Sequence, residues 1–66
     1  MYPNLRAELA RKGINLTELA EAIGMALQTL SSKMNGKSEF TYSEVVNIKK
    51  FLGVEIPLEI LFERVS

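Results

Sequence analysis

The sequence predicts an all-α fold, a compact five-helix bundle forming one domain over residues 1–66. Three observations carry that prediction. Apolar residues recur at spacings of three and four along the chain, which is the period of a helix with one buried face. No segment sustains the alternation of a half-buried strand, and no turn signal joins two β-rich runs. Glycine, proline and capping residues cut the helical pattern into short pieces.

The first helix is expected over about residues 3–11. Pro3 suits a first-turn position and Gly13 is a stop signal. Leu5 and Leu9 share one face, with Arg6 on its flank. The second is expected over about 16–23, behind Asn15 as N-cap and Glu18 in capping-box position. Leu16, Leu19, Ala20 and Ile23 form its inward stripe, and Gly24 can take the positive φ that ends it. The third is expected over about 27–35. Leu27, Leu30 and Met34 line one side, Gln28, Thr29, Ser32 and Lys33 the other, and Asn35-Gly36 terminates it. Thr41 to Glu44 is a capping box that opens the fourth, whose apolar residues are Val45, Val46, Ile48, Phe51 and Leu52, with Gly53 as its stop. The fifth is expected over about 57–63, with Leu58, Leu61 and Phe62 on one face.

Composition excludes several kinds of chemistry. Cysteine and histidine are both absent, so disulfides, thiol chemistry and Cys- or His-ligated metals are excluded, and any metal would sit on carboxylates alone. The glutamates are scattered at spacings that demand no acid–base work, and no glycine-rich loop could cradle a phosphate group. An enzyme is therefore not expected, nor a cofactor. The chain has no apolar run near the ~20 residues that span a bilayer. The first residues lack the charged and apolar regions of a signal peptide, and a soluble cytoplasmic protein is the expectation. Net charge is zero, but it is unevenly spread. Residues 1–37 hold five basic and three acidic side chains, while residues 38–66 hold three basic and five acidic ones.

The functional signal lies between the second and third helices. Only Met25 and Ala26 follow Gly24 before the next helix, and a connection so short forces a sharp angle. A helix set at such an angle can turn its polar face outward, and an α-helix fits the major groove of DNA.

Residues 17–24, Thr-Glu-Leu-Ala-Glu-Ala-Ile-Gly, and 28–37, Gln-Thr-Leu-Ser-Ser-Lys-Met-Asn-Gly-Lys, resemble the helix-turn-helix of the phage repressor and Cro family, also called the XRE family. Leu5 to Gly13 resembles that family's first helix, and Phe40 to Phe62 its fourth and fifth, so the likeness covers almost the whole chain. It implies a lambda-repressor-like five-helix fold and a DNA-binding transcriptional regulator of phage or bacterial repressor type. It further implies base readout by Gln28, Thr29 and Ser32, and phosphate contacts from Asn15, Thr17, Lys33, Asn35 and Lys37. Four positions depart from the family pattern. Ala26 replaces a frequent Ser or Thr cap, Leu16 a phosphate-clamping Gln, Leu27 a polar base reader, and Lys33 a residue that is often apolar.

Relatives bind as dimers to two half-sites. With no separate dimerisation domain expected after the fifth helix, Ile60, Leu61, Phe62 and Val65 are the candidates for a homodimer contact. Leu61 and Phe62 could equally close the monomer core. The alternative reading is a protein-interaction module on the same fold with little DNA affinity, supported by the neutral charge, Leu16 and Leu27.

Overall fold

A computed structural model describes residues 1–65. Five helices follow one another as α1 (Pro3–Lys12), α2 (Leu16–Ile23), α3 (Leu27–Met34), α4 (Tyr42–Leu52) and α5 (Leu58–Leu61). There is no strand among the described residues. The Cα radius of gyration is 10.6 Å, close to the ~11 Å of a fully packed chain of this length.

Local chemistry explains most helix ends. At α2 the Asn15 Oδ1 accepts from the Glu18 N–H at 2.8 Å, and the Glu18 Oε1 accepts from the Asn15 N–H at 3.0 Å. Thr41 and Glu44 repeat this reciprocal cap at the start of α4, with distances of 3.2 and 2.9 Å. At the end of α2, Gly24 adopts φ 70° and ψ 35°. Its N–H donates to the Glu21 carbonyl, and the Met25 N–H donates to the Ala20 carbonyl at 2.9 Å. Two carbonyls left over by the helix are thereby satisfied, and the chain turns within two residues.

The core joins all five helices. Leu5, Leu19, Leu30, Met34, Ile48 and Leu61 are fully buried, and Tyr2, Leu9, Ala20 and Leu52 nearly so. Each large apolar side chain removed from water contributes on the order of 1.5–3 kcal/mol. No buried side-chain nitrogen or oxygen lacks a partner among the described residues. The N-terminus is tied down more firmly than its sequence suggests. Tyr2 precedes α1 in the left-handed region, at φ 55° and ψ 57°, which costs roughly 1–2 kcal/mol for a non-glycine residue. Its ring meets Phe40 and Phe62 edge-on at centroid distances of 5.4 and 6.1 Å, and those two rings stand 5.5 Å apart. Such edge-to-face pairs add about 0.5–1.5 kcal/mol each beyond burial, enough to offset the strain. The Asn4 side chain donates to the Ile60 carbonyl at 2.8 Å and joins the start of α1 to α5.

Several sequence expectations need correction. The fifth helix is shorter than the 57–63 expected, because Leu61 and Phe62 already anchor it and the chain leaves the helix after them. Phe51 is 44% exposed, leaving Ile48 and Leu52 to face the core. Leu61 is fully buried and Phe62 belongs to the aromatic cluster, so both close the monomer and Leu61 has no surface to offer a partner. Ile60 and Val65 remain exposed at 47% and 55%.

This division predicts different costs for adjacent residues. Leu61→Ala is expected to destabilise the domain by about 2–4 kcal/mol and Ile60→Ala by less than about 1 kcal/mol. Urea unfolding of the two variants checks this, and equal losses would contradict the placement of Leu61 in the core.

Candidate nucleic-acid interface

The α2–α3 junction directs one face of α3 away from the core. Leu30 and Met34 point inward and are fully buried. Gln28 and Thr29, in the first turn, are exposed, and Ser32 is half-buried. Gln28, Ser32 and Asn35 follow i, i+4 and i+7 spacing and so form one polar row along the helix. Leu27 flanks the start of that row. It is 45% exposed, whereas Leu30 and Met34 on the same side are fully buried. Ala26 supplies no side-chain acceptor, so the first-turn N–H groups of α3 are free of a side-chain cap.

Asn15 and Thr17 are both exposed at the start of α2. Asn35 and Lys37 are exposed beyond α3, where the Lys37 N–H donates to the Ser32 carbonyl at 2.9 Å. The two asparagines share one feature. Asn15 spends its Oδ1 on the helix cap, and Asn35 accepts from the Arg6 guanidinium at 3.1 Å through its own Oδ1. A guanidinium only donates, which fixes the Asn35 amide orientation. Each asparagine therefore keeps its NH2 group, a donor, for whatever lies outside.

Lys33 is placed differently from the expectation. Its ammonium sits 2.7 and 2.8 Å from the two Glu44 carboxylate oxygens, and its side chain is only 13% exposed. This ion pair braces α3 against the start of α4, so Lys33 is committed inside the domain and not presented to a phosphate. The same contact changes Glu44. The hydrogen bonds from Lys33 hold its carboxyl below the usual carboxylate range, against the opposing effect of partial burial, with the Thr41 N–H assisting.

Arg6 is the residue that sequence reasoning missed. Its Nε donates to the Met1 carbonyl at 3.1 Å, and its Nη2 reaches Asn35 at 3.1 Å and the Met34 carbonyl at 3.5 Å. It therefore covers the C-terminal end of α3 from α1. Nothing local in the sequence links positions 6 and 35.

The family comparison gives a match over residues 5–58, to the family described as Helix-turn-helix. The chain belongs to this helix-turn-helix family, of the XRE type. The matched span runs from the first buried leucine of α1 to the start of α5, and α2 and α3 are the helix-turn-helix pair. The chain is thus a DNA-binding regulator in its family assignment, and members of that family are not typically enzymes. No curated protein and no solved structure matches the chain. Among the described residues, no helix of this helix-turn-helix domain is long and apolar enough to cross a membrane, and no group of carboxylates could hold a metal ion.

The Lys33–Glu44 pair predicts a pH signature. The carboxyl of Glu44 titrates lower in the folded domain than in the unfolded chain, so its contribution to stability is full above about pH 4.3. It is lost as the pH falls through the lower folded value. Glu44→Gln keeps a capping side chain and removes the charge, and is expected to cost about 1 kcal/mol near neutral pH. Urea unfolding should show the gap between wild type and variant closing in strongly acidic buffer; a constant gap would contradict the pairing.

Proposed function

We propose that the protein is a sequence-specific transcriptional repressor that reads the major groove with α3. The observation that carries this reading is the polar row Gln28–Ser32–Asn35, held outward by a helix whose opposite face is fully buried. Gln28 can donate to and accept from an adenine edge, and Thr29 and Ser32 add less selective hydrogen bonds. Leu27 offers an apolar contact to a thymine methyl group. Asn15, Thr17 and Lys37 bracket that row and, with Asn35 at its C-terminal end, are the phosphate contacts, setting the orientation of α3 without reading sequence. Lys33 leaves this set because its charge is spent on Glu44.

The repressor binds as a dimer to two half-sites about one helical turn apart. Exposed Ile60 and Val65 supply the apolar part of the dimer contact, without the buried Leu61.

A second reading, a protein-interaction module with little DNA affinity, draws on the exposed Leu27 beside Gln28. Salt separates the two. DNA binding releases counterions, so log K should fall linearly with log salt at a slope of about −0.9 per phosphate contacted. Selection from a random DNA pool, then titration of the selected duplex across salt concentrations, gives this slope; a flat profile would leave the interaction module. On the selected site, Gln28→Ala is expected to weaken binding by roughly 1–3 kcal/mol and relax one base position. Unchanged base preference in a repeated selection would remove Gln28 from the reading set.

A further inference from the structure

We infer that Arg6 is a phosphate-binding residue of the DNA interface, built in from α1 and prearranged before DNA arrives. The inference rests on the DNA-binding reading above and adds a contact that neither the sequence motif nor that reading contains.

Arg6 is exposed, yet its guanidinium is held in place. Nε and Nη2 make three hydrogen bonds, to the carbonyls of Met1 and Met34 and to the Asn35 Oδ1. All three acceptors are neutral, and no carboxylate pairs with Arg6 among the described residues. This sets it apart from Arg11, Lys33 and Arg64, whose charges face Glu8, Glu44 and Glu39. Nη1, with its two N–H groups, has no partner among the described residues. One edge of the fork is anchored to the protein and the other is free. An arginine fixed in this way has already lost much of its rotamer freedom, so binding an anion costs it less.

The position suits a phosphate and needs a cation. The C-terminal end of α3 carries the negative end of the helix dipole, which repels an anion there. Arg6 lies on the Met34 carbonyl at that end and counters this field. The same guanidinium engages the Asn35 Oδ1 and so leaves the Asn35 NH2 as the donor still to be used. Arg6 therefore supplies a charge and orients a neighbouring donor, and a phosphate oxygen beside Asn35 would accept from both.

The test uses the whole chain and a random-sequence duplex. Arg6→Gln, checked by thermal melting, is expected to reduce the magnitude of the salt slope by about 0.9 per protein chain and to weaken binding roughly eightfold in 0.1 M salt, the share of one released counterion. Arg6→Lys should retain the slope. In the wild-type protein, the Arg6 side-chain 15N–1H signals should shift when DNA is added, a readout that holds even if Arg6→Gln fails to fold. Wild-type binding with a salt slope, an unchanged slope in a folded Arg6→Gln variant and unmoved Arg6 signals would overturn the assignment alone. A wild-type chain without DNA affinity would overturn it together with the DNA-binding reading.

Discussion

The turn between α2 and α3 sets the direction in which α3 leaves the body of the domain, and every surface feature of α3 depends on that direction. Gly24 makes the turn through a left-handed backbone conformation, with its own N–H and that of Met25 donating back into α2. A Cβ added at Gly24 would meet nothing within 4 Å, so the requirement there is backbone conformation and not space. Any other residue would pay roughly 1–2 kcal/mol for that conformation. Ala20, one turn before Gly24, is nearly buried. With Leu19 and Leu30 fully buried on the two helices, the angle is held by packing as well as by the turn.

Given that direction, the polar groups divide into those used inside the domain and those left outside. Asn15 and Asn35 each use the side-chain oxygen within the domain and keep the NH2 as an unused donor. Lys33 goes entirely inward, because a half-buried ammonium needs a partner and Glu44 is within 2.8 Å. The zero net charge of the chain does not describe how its individual charges are paired. Acidic side chains at 8, 39 and 44 are occupied by Arg11, Arg64 and Lys33, while Arg6 and Lys37 have no carboxylate partner among the described residues.

The same division explains what was legible in the sequence. Caps and glycine stops act over three to five residues, so Asn15–Glu18, Thr41–Glu44 and the turn at Gly24 could be read directly. Helical spacing likewise located Leu30 and Met34 in the core and Gln28 on the outer row. The side chains that were misplaced or missed are those decided by distant partners. Lys33 looks like a surface cation until α4 brings Glu44 beside it. Tyr2 carries no local signal of its own and is placed by Phe40 and Phe62, which meet its ring edge-on. Leu27 and Phe51 fit apolar stripes by spacing, but each keeps more than two-fifths of its surface exposed, 45% and 44%.

Helix α3 has only eight residues and no N-terminal side-chain cap, and such a helix is not stable alone in water. Its order must come from contacts made behind and around its polar row. Three are spaced along it: Leu30 and Met34 in the core, Lys33 on Glu44, and Arg6 on its last carbonyl, that of Met34. None of them occupies Gln28 or Thr29. A capping side chain at position 26 would have stabilised α3 by about 1 kcal/mol while occupying first-turn N–H groups. Stability has been placed instead where it does not compete with the outward face. On the proposed function, an ordered and uncovered row of this kind would lose little freedom on meeting DNA, which favours both affinity and selectivity.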